Sequence, residues 1–286
     1  MPPSPVHLIN ADHLDAVPAH LVSARRSEHK RQLQQAQYLI RRKRDGRYLG
    51  LIVRCNGALH YRPWLAEPAP LEHIDPLLAM LGLRRQGRLH PRRPTRLEQL
   101  PNWQVALPGL AANLIAWLDR LSVLGIDVVA YSEHTQLPWQ FEPATLRFAG
   151  RDRYQRPLWL TDSSARAWQT MRRAAAADGL QLQAISGFRG YAYQLGIFAR
   201  KLERGQSIEQ ILKVNAAPGF SEHHTGRALD IGCPGEPAAE ESFENTEAFD
   251  WLLHRAHEFG FHLSYPRDNP HGISYEPWHW CWHGTR

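Results

Sequence analysis

Residues 221–230 read Ser-Glu-His-His-Thr-Gly-Arg-Ala-Leu-Asp, and this stretch constrains the chain more than any other. Two adjacent imidazoles stand just ahead of Gly226, which permits a turn. The run after it reads as extended. A turn followed by a strand lets Asp230 converge with one of the histidines. Alternation along the strand does not choose between His223 and His224, because the turn interrupts it.

A second patch of the same chemistry lies near the C-terminus, where "YEPWHWCWHG" (275–284) holds Glu276, His279 and His283. Pro277 restricts Glu276 to an extended conformation and denies a sheet one donor. In a regular strand residues three apart face opposite sides, so a kink at Pro277 is needed to bring Glu276 and His279 to one centre. A catalytic zinc takes three ligands of His, Asp or Glu type and leaves a fourth position to water. A carboxylate beside it serves as base for that water. The chain has 16 histidines, so chance pairs are expected. Each one, taken singly, reads as packed or solvated.

The elements around these patches follow from periodicity and punctuation. In the first part, 21–37 reads as a helix. Residues 38–64 read as a β-meander turned at Asp45-Gly46 and Asn56-Gly57. Helices are predicted over 75–83 and 109–125, and a strand over 126–132. The pattern then loosens, and a domain boundary is placed at 144/145. Beyond it, 162–179 is a helix capped by Asp162 or Ser163, 180–186 a short strand, and 187–205 a turn into a further helix. A helix over 245–261 ends at Gly260, and the aromatic C-terminal stretch reads as a strand. Residues 145–286 are thus an α+β domain with a small, mostly antiparallel sheet, preceded by a smaller mixed α/β domain over 1–144.

With 43% hydrophobic and 22% charged residues, a well-buried core is expected. The formal charge of +6 fits an anionic partner. The basic runs in the first hundred residues nevertheless read as solvated faces, because no nucleic-acid-binding signature accompanies them. No stretch approaches the ~20 apolar residues of a membrane span. The N-terminus lacks the basic and apolar regions of a secretory signal. Three cysteines, Cys55, Cys233 and Cys281, form no paired motif, so the expected compartment is the reducing cytoplasm.

Three segments in order carry a resemblance. "SEHHTGRALD" is similar to the S-x-H-x-x-G-x-A-x-D signature of the VanY-type D-alanyl-D-alanine carboxypeptidases. "EPWHW" (276–280) resembles their second signature, and "SGFRGYAYQ" (186–194) the segment that precedes a helix. The family includes LD-carboxypeptidases and shares its fold with the hedgehog signalling domain. The resemblance covers about 145–286. It implies Zn²⁺ held by His223, Asp230 and His279, with Glu276 as general base. It gives Arg189 either the oxyanion of the scissile carbonyl or the substrate's terminal carboxylate, and leaves both open. Ser221, Tyr191 and Gln194 are implied to orient the peptide. His224 falls at a variable position, and Gly190 departs from a frequent serine. The implied partners are peptidoglycan stem peptides or muropeptides. A cytoplasmic location favours LD-carboxypeptidase action on recycled tetrapeptides. The alternatives are DD-carboxypeptidase action, an L-Ala–D-Glu endopeptidase of phage type, and a zinc-stabilised binding module.

Overall fold

The computed structural model describes residues 6–24, 27–55, 58–63, 71–81 and 117–284. The chain starts with β1 (His7–Asn10) and β2 (Leu14–Pro18), followed by α1 (Ser27–Gln35). The helix expected over 21–37 is shorter, because strand pairing begins at Ala36. The predicted meander forms as β3 (Ala36–Arg42), β4 (Tyr48–Cys55) and β5 (Ala58–Pro63). Gly46, at φ 70°, makes the first turn. The Asn56-Gly57 turn lies outside the described residues. Helix α2 (Leu71–Met80) covers this sheet and buries Ile74 and Leu77 against Leu14, Ile40 and Ile52.

The described part of the next predicted helix is helical over 117–123 (α3); 109–116 lie outside the described residues. The strand predicted over 126–132 is instead α4 (Val128–Thr135). Its β-branched residues favour a strand by propensity. The Asp127 carboxylate, however, accepts from the amides of Val129 (2.9 Å) and Ala130 (3.0 Å) and caps a helix. Ile126, Val128 and Tyr131 then pack into an aromatic core with Trp117, Trp139, Phe198 and Phe220. Tertiary burial overrides the local preference.

Strands β6 (Thr145–Arg151) and β7 (Pro157–Leu160) come from the stretch where no period was visible. β1 pairs antiparallel with β6 in the register His7↔Arg147. Among the described residues this yields a seven-stranded sheet in the order β5-β4-β3-β2-β1-β6-β7. Strands that follow the expected boundary at 144/145 therefore complete the sheet that begins at His7.

The second sheet is built from β8 (Gln183–Ser186), β9 (Ala228–Gly232), β10 (Phe261–Leu263) and β11 (His279–Trp282), in the order β10-β11-β9-β8 and antiparallel throughout. Around it lie α5 (Asp162–Ala177), α6 (Tyr191–Glu203), α7 (Ile208–Leu212) and α8 (Glu247–Arg255). The cap of α5 is Thr161 rather than Asp162 or Ser163, its hydroxyl accepting from the Ser164 amide. The core under the sheet contains Trp168, Met171, Leu229, Ile231, Leu252 and Trp280. Truncating a side chain such as the fully buried Trp168 would cost about 3–5 kcal/mol. The whole is α+β, as expected. No helix among the described residues is long and apolar enough to cross a membrane.

Candidate active site

The decapeptide 221–230 folds into a turn and a strand. Residues Glu222–Thr225 make one 3₁₀ turn that ends at Gly226 in the left-handed region, φ 66°. A side chain at Gly226 would meet Leu146 Cδ2 at 2.5 Å, so the turn needs glycine twice over. The chain then enters β9, where Asp230 lies directly across from His279 on β11. The turn supplies one imidazole, and the strand pair supplies a carboxylate and a second imidazole.

His223 Nε2 lies 3.1 Å from Asp230 Oδ1, and His279 Nδ1 lies 3.2 Å from the same oxygen. The donor atoms of His223, Asp230 and His279 are all within 4.8 Å of one another, and all three residues are buried. His224 does not join them. Its Nδ1 donates to the Arg189 carbonyl (2.6 Å) and its Nε2 accepts from the Gly219 amide (3.0 Å). Both nitrogens are spent on backbone, which leaves His223 as the histidine that faces Asp230.

Hydrogen bonding tests whether a cation fits. His223 Nδ1 is 2.7 Å from the Gly187 carbonyl oxygen, which only accepts, so Nδ1 carries the proton. Burial, and secondarily the Arg189 charge, hold this imidazole down at about 4. It is therefore neutral, and its Nε2 lone pair faces a carboxylate oxygen. Two acceptors at 3.1 Å repel unless a cation lies against both. The two-His, one-carboxylate set is the ligand chemistry of a catalytic divalent metal.

Electrostatics at His279 are reversed. Burial disfavours a charge on His279, but hydrogen bonds to Asp230 and Glu222 outweigh it and push the ring up to about 10. Glu222 Oε2 accepts from His279 Nε2 (2.9 Å) and from Ser264 Oγ (2.6 Å). The carboxyl falls to about 2, because these bonds overcome a large burial penalty. Bonded to Nε2, Glu222 holds the ring in the orientation that turns His279 Nδ1 toward Asp230. The sequence reading missed it, and the one local signal was an acid adjoining His223.

Glu276 sits where a kink was required. The His279 amide donates to the Glu276 carbonyl at 3.0 Å, which closes a turn with Pro277 at its second position. Glu276 Oε2 comes within 3.8 Å of His279 Nδ1. Burial raises this carboxyl to about 7, with Asp230 adding to the effect and His279 opposing it. It is poised to exchange a proton near neutrality.

Arg189 Nη1 lies 3.6 Å from Asp230 Oδ2, and its buried Nε has no partner among the described residues. Arg189, Gln194, Ser221, Glu276, Glu240 and Tyr265 help to line a cleft of about 410 Å³ over the ligands. Gln194 Nε2 donates to the Ala216 carbonyl, while its Oε1 is without a partner among the described residues. Tyr191 is placed differently from its expectation as a peptide-orienting residue. Its hydroxyl donates to the Gln140 carbonyl (2.5 Å) and accepts from Trp139 Nε1 (3.0 Å), deep in the aromatic core. With both hydrogen-bonding roles of its hydroxyl used, it acts on packing instead.

The remaining sequence suspects are peripheral. His283 is exposed. It shares a second potential donor group with Glu222 and Cys281, but there Glu222 is committed to His279 and Ser264, and burial holds the Cys281 thiol far up in its protonated form. All three cysteines are free. In the basic run 41–44, Arg41 pairs with Asp15, Arg42 with Asp45, and Lys43 with Glu142. Much of that charge is neutralised internally.

Comparison with known proteins agrees with the motifs. Residues 157–285 match the family model described as VanY, D-alanyl-D-alanine carboxypeptidase. The chain is 33% identical over 153 residues to YodJ of Bacillus subtilis (strain 168), a match covering 50% of this chain and 55% of YodJ. It is 28% identical over 132 residues to the bifunctional D-Ala-D-Ala dipeptidase and carboxypeptidase VanXYC of Enterococcus gallinarum, covering 44% of this chain and 68% of that protein. A solved structure of a vancomycin-resistance D,D-pentapeptidase VanY variant with Zn(II) aligns with a TM-score of 0.40 at 28% identity, over 52% of this chain and 83% of that one.

Proposed function

We propose, from the premise that residues 157–285 are a VanY-type carboxypeptidase domain, that this protein is a zinc carboxypeptidase releasing terminal D-alanine from peptidoglycan stem peptides. The observation that carries the reading is the neutral His223 facing Asp230 across 3.1 Å, with His279 beside them and Glu276 held near neutrality. His223 Nε2, Asp230 and His279 Nδ1 would hold the ion. Bound there, Zn²⁺ supplies Lewis acidity, polarising the scissile carbonyl and making a water acidic enough to lose a proton near pH 7.

The protein's own groups do the rest. Glu276 takes a proton from the attacking water and returns it to the leaving amine. In the metal-free protein burial raises this carboxyl to about 7, and a group that exchanges protons easily suits both transfers. Arg189, anchored beside Asp230 and lining the cleft, stabilises charge that develops on the carbonyl oxygen. Ser221 and Gln194 offer a hydroxyl and an amide oxygen for the peptide backbone.

The finer reading is L,D-carboxypeptidase action on tetrapeptides, of the kind met in recycled muropeptides. Glu240 and Glu241 line the same cleft. Two carboxylates there suit the amine of diaminopimelate, the residue that precedes the scissile bond in a tetrapeptide. Incubation with tetra- and pentapeptides followed by product mass tests this. Loss of D-alanine from the tetrapeptide is expected. Loss only from the pentapeptide would make the activity D,D, and released di- or tripeptides would make it an endopeptidase. Glu276→Ala should retain zinc and lose about 10²–10⁴-fold in turnover. Equal inertness of wild type and variant would point to a binding module.

A further inference from the structure

Glu142 is a buried carboxylate outside the cleft, in the segment between α4 and β6. Its side chain is 12% exposed, and its three hydrogen-bond partners belong to separate parts of the chain. Oε2 accepts from Lys43 Nζ (2.8 Å), just past β3, and from Asn10 Nδ2 (2.9 Å), at the end of β1. Oε1 accepts from the Tyr191 amide (2.5 Å), the first of helix α6. Lys43 is itself 7% exposed, so a full ion pair is buried between the seven-stranded sheet and this helix. Burial alone would raise the Glu142 carboxyl, but Lys43 and the hydrogen bonds hold it below its ordinary value.

Gly190 occupies the cap position of α6 and has no side chain to bond the exposed amides. A Cβ built there would lie 3.1 Å from Glu142 Oε1. The carboxylate fills the space of a capping side chain and performs its task, with a negative charge at the helix N-terminus. The residue immediately before Gly190 is Arg189. Its amide donates to the His223 carbonyl (3.2 Å), and its carbonyl accepts from His224. Arg189 is therefore held from the ligand turn on one side and from Glu142 on the other.

We propose that Glu142 is a positioning residue for Arg189. It fastens the start of α6 to Lys43 and Asn10, so the seven-stranded sheet sets where the cleft's arginine stands. The strands before the VanY-type domain thereby become part of the hydrolytic apparatus. The activity arm of the test rests on the carboxypeptidase reading; the exchange arm does not.

The test compares full-length wild type with Glu142→Ala, Glu142→Gln, Gly190→Ser and the double variant Glu142→Ala/Gly190→Ser. Zinc content, kcat and KM on the stem peptide that wild type cleaves, and amide hydrogen exchange at residues 191–193 are read for each. Glu142→Ala should lower kcat/KM by about 10–100-fold, the cost of a misplaced catalytic group, with zinc content unchanged and first-turn exchange faster. Gly190→Ser alone should also be harmful, because its Cβ crowds the carboxylate. In the double variant the serine has room and caps the helix itself, so first-turn exchange should slow again, but the tether to Lys43 and Asn10 is still missing and kcat/KM should stay about 10–100-fold low. If Glu142→Ala does not fold, Glu142→Gln replaces it. Gln keeps an acceptor for the Tyr191 amide and loses the Lys43 pair, and it should show an intermediate loss.

Recovery of wild-type kcat/KM in the double variant, or wild-type kcat/KM with unchanged exchange in Glu142→Ala or Glu142→Gln, would overturn the proposal. If wild type cleaves no stem peptide while exchange follows the expected order, the carboxypeptidase reading fails and the positioning role stands.

Discussion

Two buried polar centres lie on either side of Arg189, and they are built on opposite plans. Around Glu142 every charge is answered by the chain itself, with an ammonium, an amide side chain and a helix amide on one carboxylate. Around Asp230 the chain brings two imidazoles to one oxygen and leaves a lone pair facing a carboxylate. The first arrangement pairs its charges internally and holds parts together, though Asn10 Oδ1 has no partner among the described residues. In the second, Arg189 and His279 face the carboxylate, but the His223 Nε2 lone pair lies 3.1 Å from Asp230 Oδ1 with no proton between them, and burial makes that costly. A self-satisfied buried charge marks a joint, and an unsatisfied one marks a site.

The sharpest way to break this comparison is to remove one ligand and its neighbour separately. His223→Ala should abolish zinc retention after dialysis, read by metal analysis, and with it all hydrolysis. His224→Ala should retain zinc, losing instead about 1–3 kcal/mol of stability as the Arg189 carbonyl and the Gly219 amide lose their partner. Zinc lost from both variants alike would erase the distinction between them.

A smaller effect separates the ligands from the group that orients one of them. Glu222→Gln keeps the shape but weakens the acceptor for His279 Nε2. Zinc affinity measured by competition with a chelator should fall about 10–100-fold. An unchanged affinity would make Glu222 a bystander.

The smallest test uses proton linkage in the metal-free protein. Glu276 has a folded pKa of about 7, above its ordinary 4.5, so its contribution to stability is present below about pH 4.5 and is lost as pH rises through 7. Glu142 is shifted down, so its contribution is present above about pH 4.5 and is lost as pH falls through its depressed pKa. Melting temperatures across pH should therefore show Glu276→Gln flattening the neutral limb and Glu142→Gln flattening the acid limb. Each change amounts to a few degrees. The same limb moving in both variants would contradict the two-plan account.

Legibility in the sequence followed the range of the interactions. A helix with a local cap and period, such as α5, was readable within a residue or two, and so was the hairpin at Asp45-Gly46. Helix α8 starts within two residues of its expected beginning but ends at Arg255, short of Gly260. The α4 segment misled because Val128 and Val129 favour strands, while the deciding cap and aromatic packing lay outside that preference. Strand β6 carried no period of its own and exists through pairing with β1, more than a hundred residues away, and β7 pairs in turn with β6. Glu222 and Glu142 were invisible for the same reason: each reads locally as a surface acid, yet its partners come from 57 and 99 residues away.

The sequence by itself determined which side chains are present to bind a metal, and that Gly226 and Pro277 must turn the chain beside them, since those are properties of residue type and of one or two dihedrals. The family signature already pointed to His223 over His224; the tertiary structure alone decided what each imidazole nitrogen is bonded to, and what anchors Arg189. Those depend on carbonyls, carboxylates and amides that meet only when distant strands pair and the surrounding water is excluded.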